Sequence, residues 1–94
     1  MAGLVFEWDE NKARHNLRKH GVSFVASLAV FEDPRRIERV DDRRDYGEDR
    51  IQVIGLSAGR VLFVVYTRRG DVIRVISARR ANRDERKAYE TVRI

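Results

Sequence analysis

The chain has 94 residues, no cysteine and a formal net charge of +5, with 43% hydrophobic and 37% charged residues. This length suits one small domain, spanning 1–94, with a single modest core. The lack of cysteine excludes disulfides and cysteine-ligated zinc or iron–sulfur sites. The N-terminus turns acidic within its first ten residues, and no apolar run reaches 18 residues. We therefore expect neither a signal peptide nor a membrane span, and we predict a cytoplasmic protein.

The positive charge is concentrated at one end of the chain. Residues 1–67 contain 11 basic and 11 acidic residues, whereas residues 68–94 contain nine basic and four acidic residues. Seventeen of the 20 basic residues are arginine, whose planar guanidinium suits phosphates and carboxylates. The C-terminal surplus indicates a polyanion or an acidic protein as partner.

The first elements predicted are a short strand and a helix. Residues 4–8 alternate like a strand, and Asp9 is a good N-cap for a helix over 10–20. Gly21 suits the position that ends this helix. Helical spacing places three residues on one core-facing stripe: Ala13, Leu17 and His20.

A second helix and an edge strand follow. Ser23 is the predicted N-cap of a helix over 24–31, and Asp33-Pro34 ends it. Residues 35–42 read as a polar strand at the edge of a sheet. A charged turn over 42–49 comes next.

The second half of the chain predicts three more strands and a helix. Residues 51–57 alternate, 61–67 form a nearly continuous apolar central strand, and 72–78 form another inner strand. Asn82 is the predicted N-cap of a last helix, with Glu85 completing a capping box. The order β-α-α-β-β-β-β-α predicts an α+β fold: a short N-terminal strand, two helices, an antiparallel four-stranded meander and a C-terminal helix.

His20 is the first candidate for chemistry. At 100° per residue it falls within about 20° of Ala13, on the core-facing stripe and at the helix C-terminus. The helix dipole favours the imidazolium there, so we expect a raised pKa unless burial opposes it. A histidine that only ends the helix is the alternative. His15 is interpreted as a surface residue on the opposite face, and the five-residue spacing does not suit a shared metal.

Arginines near the last strand form a candidate anion site. Arg74 stands among apolar residues of an inner strand, so it needs either a salt bridge or a ligand. Arg79 and Arg80 precede a helix N-terminus, where dipole and side chains together favour phosphate. Arg83 and Arg86 continue this surface at i, i+3, or they belong to a solvated, ion-paired helix face.

Other residues have two interpretations each. Glu7 could act as a general base or pair, buried, with an arginine, and Trp8 could stack on a base or pack in the core. Five carboxylates alternate with arginines around the charged turn and are interpreted as solvated rather than metal-binding: Asp41, Asp42, Asp45, Glu48 and Asp49. We therefore expect no metal site.

Three stretches together resemble BrnT-type toxins: FEWDENKARHNLRKHGVSF, DYGEDRIQVIGLS and RVISARRANRDERKAYE. The combination of WD-x-x-K-x-x-x-N-x-x-KHG with a distant ISAR-x-A-x-x-x-ER makes the resemblance specific, and it covers the chain from Phe6 to Glu90. The family's marked positions fall on Trp8, Lys12, Asn16, Lys19, His20, Arg79, Glu85, Arg86 and Tyr89.

The resemblance implies a RelE-like fold and the toxin of a type II toxin–antitoxin module. Such a toxin is an endoribonuclease that cleaves RNA, inhibits translation and arrests growth. We predict that the cleavage needs neither a metal nor another cofactor. The resemblance also implies a BrnA-type antitoxin whose ribbon–helix–helix domain binds operator DNA, and a tight toxin–antitoxin hetero-oligomer that masks the toxin.

These implications suggest a catalytic hypothesis for the candidate residues. RNA cleavage without a metal needs a base for the 2′-hydroxyl, cations for the phosphorane and an acid for the leaving 5′-oxygen. In this hypothesis the phosphate is held by Arg74, Arg79 and Arg80. It makes His20 the acid or the base, with Lys19 or Glu7 as second partner. Further RNA contacts are expected from Trp8, Lys12, Arg83, Arg86 and Tyr89.

Two other functions fit the same sequence. The chain could be a non-catalytic basic module that binds RNA, a ribosome or an acidic protein. It could also be a regulatory partner of a DNA-binding antitoxin. The first predicts binding without cleavage, and the second predicts no growth arrest when the chain is expressed alone.

Overall fold

A computed structural model describes residues 4–43 and 47–92, which form a five-stranded sheet with helices on both faces. The elements in chain order are β1 Val5–Glu7, α1 Glu10–His20, α2 Phe24–Ser27, a 3-10 segment Leu28–Glu32, β2 Ile37–Asp41, β3 Arg50–Ser57, β4 Arg60–Arg69, β5 Val72–Arg80 and α3 Arg83–Glu90. The predicted α+β class and element order are confirmed.

The sheet has the strand order β1-β5-β4-β3-β2. Strands β2 to β5 form the predicted antiparallel meander, with β4 in the centre and β2 at the edge. Strand β1 pairs in parallel with the start of β5, with Glu7 opposite Arg74. Beyond Arg74, no strand in 4–43 or 47–92 covers the outer edge of β5.

Alternation along the strands divides the core between the two faces of the sheet. The larger cluster lies under α1 and α2 and includes Phe24, Val64 and Val75, with Phe6 and Trp8 packed against it. The smaller cluster lies under α3 and consists of Ile54, Phe63, Val65 and Tyr89. The apolar run of β4 follows from this arrangement, because both of its faces are covered.

The predicted single helix over 24–31 is wrong in detail. Only Phe24–Ser27 is α-helical, and Leu28–Glu32 tightens into 3-10 geometry. The 3-10 segment lies close against β3, where a Cβ at Gly55 would stand 2.7 Å from Val30 Cγ1. Glycine at 55 therefore allows this close approach.

The prediction of solvated carboxylates around the charged turn holds for Asp42 and Asp49, which are exposed, but is wrong for Asp41. Asp41 is the last residue of β2 and is buried, and Arg43 Nη2 lies 2.8 Å from its Oδ2. Hydrogen bonds from Arg43 hold the pKa of Asp41 well below its usual range. Asp45 lies outside the described residues. Among those described, no group of three or more His, Asp or Glu is placed to hold a metal ion.

Candidate functional site

Helix α1 has well-defined ends, which fix the side chains along it. The side chain of Asp9 accepts a hydrogen bond from the Lys12 N–H at 3.1 Å, as predicted for the N-cap. Gly21 adopts the left-handed conformation and donates its N–H to Leu17 O at 2.8 Å. His20 is therefore the last helical residue.

Asn16 anchors α1 to the open edge of β5. Its Nδ2 donates to Ala78 O at 2.7 Å and to Val22 O at 2.9 Å, while the Ala78 N–H donates to its Oδ1 at 3.1 Å. The amide thus pairs with Ala78 as a neighbouring strand would. The predicted stripe was wrong for Leu17, which is 50% exposed, because Asn16 takes the buried position.

An open groove of about 400 Å³ runs between α1 and this edge of β5. Its lining is Asn11, Lys12, His15, Asn16, Lys19, His20, Ile76 and Ser77. Four of these side chains are basic, and none carries a carboxylate. In 4–43 and 47–92, neither lysine forms an ion pair. The groove therefore presents unneutralised positive charge next to two imidazoles.

His20 is half-buried in this groove. Burial lowers the pKa of His20, and the positive charges of Lys19, Arg79 and His15 lower it further. The raised pKa expected from the helix dipole was conditional on solvation, and desolvation with neighbouring cations reverses it. At neutral pH the ring is therefore predominantly neutral and can accept a proton.

His15 was predicted to lie on the opposite, solvated face, and only its exposure is confirmed. The side chain lines the same groove as His20, and its charge acts on His20. Because Asn16 faces the core, residues on either side of it form the groove wall. One sequence signal could have placed His15 and His20 in the same groove. It is the asparagine at position 16, which lies between Ala13 and His20 on the helix face toward the core.

Arg79 lies at the end of β5 in a cluster with α3. Its Nη1 and Nη2 donate to the Glu85 carboxylate at 2.8 and 2.9 Å, and its Cζ lies 4.1 Å from the centre of the Phe63 ring. Glu85 also completes the predicted capping box with Asn82. Burial acts to raise the pKa of Glu85, but hydrogen bonds from Arg79 and the Asn82 N–H lower it overall.

The three arginines expected to hold one phosphate do not converge. Arg74 pairs with Glu7 at 3.0 Å, in a contact where both side chains are partly exposed, so Glu7 is an arginine partner but is not buried. Arg74 and Arg79 are five residues apart, about 16 Å along a strand. Arg79 and Arg80 are consecutive and point to opposite faces of the sheet. A single three-arginine clamp is therefore excluded by the geometry of β5.

The predicted RNA-contacting residues divide into exposed and packed ones. Lys12 lines the groove, and Arg83 and Arg86 are exposed on α3. Trp8 is half-buried edge-on to Phe24, and its Nε1 donates to Glu10. Tyr89 is buried, and its hydroxyl donates to Asp33 at 2.5 Å. Packing therefore accounts for Trp8 and Tyr89 without a contact to RNA.

Residues 8–85 match the family model described as ribonuclease toxin, BrnT, of type II toxin–antitoxin system. The match covers α1, the whole meander and the start of α3. A search of curated proteins finds no match. In the part of the chain that the structure describes, the longest helix is the 11-residue α1, and no helix has the length and apolarity to cross a membrane. The sequence motifs, the α+β fold and the family match agree: the chain belongs to the BrnT family of ribonuclease toxins of type II toxin–antitoxin systems.

Proposed function

We propose that this ribonuclease toxin is a metal-independent endoribonuclease that cleaves RNA in the groove between α1 and β5. One observation carries the proposal. His20 has a lowered pKa in a groove whose other charged side chains are all cationic. A neutral imidazole beside lysines that have no ion-pair partner among the described residues supplies a base and phosphate-binding charge at one place.

The reaction follows from this arrangement. His20 takes the proton of the 2′-hydroxyl, whose oxygen bonds to phosphorus while the bond from phosphorus to the 5′-oxygen breaks. Lys12 and Lys19 stabilise the phosphorane, and Lys19 protonates the leaving oxygen. The products are a 2′,3′-cyclic phosphate and a 5′-hydroxyl. Glu7 has no part in this scheme, because it pairs with Arg74 and does not line the groove.

Arginines outside the groove contribute through charge and RNA backbone contacts. Arg79 acts on His20 electrostatically, and the Arg79 guanidinium is held in place by Glu85. Arg80, Arg83 and Arg86 are exposed at the end of β5 and on α3, where they extend the basic surface. Such contacts bind RNA without sequence preference and weaken with salt.

The cellular consequence is inhibited translation and growth arrest. A BrnA-type antitoxin, with a ribbon–helix–helix domain that binds operator DNA, neutralises the toxin by forming a hetero-oligomer with it. Family membership supports this proposal, because a type II system pairs its toxin with a protein antitoxin.

The test is cleavage of RNA by purified toxin in excess EDTA. The wild type, His20→Gln, Lys19→Ala and Arg79→Ala are compared with Lys87→Ala, which removes an exposed cation on α3. We expect cleavage in EDTA with cyclic-phosphate ends. His20→Gln should lose activity by about 100-fold or more, because it removes the base. Lys87→Ala should cleave at the wild-type rate.

Three results contradict the proposal. Cleavage that disappears in EDTA and returns with Mg²⁺ would show a metal-dependent enzyme. If His20→Gln cleaves RNA at the wild-type rate, the chemistry takes place outside the groove. RNA binding without cleavage, both in free RNA and on ribosomes, would favour the non-catalytic module.

A further inference from the structure

An apolar surface lies on the other side of α1 from the groove. Leu17 is 50% exposed and Val25 is 66% exposed. Two shallow grooves of about 230 and 250 Å³ meet at Leu17, and they add Trp8, Ala13 and Ala26 to the lining. We call these five residues the Leu17 patch. Leu17, Val25 and Ala26 are exposed, whereas Trp8 and Ala13 are half-buried. Adjoining apolar side chains rimmed by polar residues are typical of interaction sites.

The surroundings of the patch are mainly basic. Arg14 and Arg18 flank Leu17 on α1, and Arg60 lines the second groove. Glu10 is a carboxylate in the lining of the first groove, where it accepts a hydrogen bond from Trp8 Nε1. In the described ranges none of these three arginines forms an ion pair. An apolar centre with an arginine rim fits a partner segment that carries apolar side chains flanked by carboxylates.

We propose that the Leu17 patch is the docking surface for an acidic, amphipathic segment of the antitoxin. This inference rests on the proposed neutralisation of the toxin by an antitoxin. A second copy of this chain fits less well, because a symmetric interface would bring the arginine rims together. RNA also fits less well, because the patch offers aliphatic side chains rather than open aromatic faces for stacking.

The patch and the RNA groove are separate. Around α1, Leu17 points about 160° away from Lys19 and about 60° away from His20, since each residue advances by 100°. None of the groove-lining residues belongs to the patch. Substitutions in the patch should therefore abolish antitoxin binding and leave RNA cleavage intact.

The experiment measures antitoxin affinity and RNA cleavage in the same variants. The probe is the antitoxin encoded next to the toxin gene, purified and titrated against full-length toxin. The test variant is Leu17→Glu with Val25→Glu. The control is Val40→Glu, which puts one glutamate in place of a 62% exposed valine of β2, on the far edge of the sheet.

The double variant should lose affinity by about 100-fold or more, since two central apolar contacts are replaced by charges that an acidic segment repels. Its cleavage rate should stay within about twofold of wild type, which also shows that it folds. Val40→Glu should change neither property. Arg14→Glu with Arg18→Glu should weaken binding and reduce its dependence on salt.

Three results would overturn the inference. The double variant could bind antitoxin within about threefold of wild type. Val40→Glu could be the variant that loses binding, which would place the antitoxin on the β2 edge. The double variant could dissociate a toxin dimer while still binding antitoxin, which would assign the patch to a second copy. If antitoxin binding is lost as expected but wild-type toxin fails to cleave RNA, the proposed chemistry fails and the docking surface stands.

Discussion

The α1 groove and the Arg79 cluster are both basic, but they use their positive charge differently. In the groove, Lys12 and Lys19 have no carboxylate partner in the described residues, and no carboxylate lines the wall. In the cluster, Arg79 is held by two hydrogen bonds to Glu85 and by the Phe63 ring. The density of basic residues is therefore a poor guide to a polyanion site, and the pairing of each cation is a better one.

The difference has an energetic reason. A bidentate arginine–carboxylate pair contributes to the fold, and it would have to break before the arginine could hold a phosphate. Unpaired lysines around a groove stay solvated at little cost and can exchange water for an anion. The comparison predicts large effects on activity in the groove and effects on stability in the cluster.

The largest expected effect is on the pH dependence of cleavage. The pKa of His20 is lowered in the fold, so the neutral ring forms at a lower pH than in the unfolded chain, where the pKa is about 6.5. The cleavage rate should rise with pH through an apparent pKa below that value and then level off. His20→Ala should lower the plateau by about 100- to 10,000-fold.

The measurement is a pH–rate profile with a parallel NMR titration of both imidazoles. His15→Ala is the matched control, because it keeps His20 and should retain the rising limb. A His20 pKa above 6.5 would contradict the groove geometry. A flat profile for the wild type would remove His20 from proton transfer.

The second effect is the loss of the anchor between the groove's two walls. Asn16→Ala leaves the Ala78 N–H and the Val22 carbonyl without their side-chain partner in a buried place. We expect the free energy of unfolding to fall by about 2–4 kcal/mol. Urea denaturation measures this change, with Asn11→Ala on the exposed face of the same helix as control. Equal stability of the two variants would show that the edge of β5 finds other partners.

Asn16 also shows where the sequence stops predicting the fold. Periods of two and 3.6 residues predicted the strands, the helices and their order, because they depend on local geometry alone. The parallel pairing of β1 with β5 joins residues 67 positions apart, so no local pattern contains it. Asn16 can hydrogen-bond to Ala78 only because the pairing of β1 with β5 stops at Arg74 and leaves the edge of β5 open beyond it.

The site was predicted in part for the same reason. Lys12, Lys19 and His20 were named from helical spacing and family motifs, and the structure places all three along one groove. Their chemical roles are still proposals. Three arginines lie close together in the sequence: Arg74, Arg79 and Arg80. Strand alternation directs them apart, and Glu7 and Glu85 pair with the first two at different places. A strand directs neighbouring side chains apart, so clustering along the chain does not predict a shared ligand.

The third effect concerns the Arg79 cluster. Arg79→Ala removes the partner of a Glu85 side chain that is only 12% exposed, so unfolding should become easier by about 1–3 kcal/mol. The pKa of Glu85 is lowered in the fold. Its contribution to stability is therefore present above its unfolded pKa, near 4.3, and is lost as pH falls through the folded value.

Stability curves from pH 7 to pH 3 for the wild type and Glu85→Gln provide the measurement. The wild type should lose stability over this range by more than Glu85→Gln. Parallel curves would mean that Glu85 has no lowered pKa. A collapse of RNA cleavage in Arg79→Ala, at a pH and temperature where the variant is folded, would give the arginine a direct role in the reaction.

The smallest effect should come from Glu7 and Arg74. Their pair lies at the start of β5 with side chains 44% and 36% exposed, so water screens it. Glu7→Gln and Arg74→Ala should each change the free energy of unfolding by less than about 1 kcal/mol. Neither residue lines the groove, so cleavage should stay near the wild-type rate. A loss of activity in Arg74→Ala without loss of stability would restore this arginine to the RNA site. The surface that binds RNA would then extend from the groove across β5 to β1, and positive charge that is already paired would contribute to it.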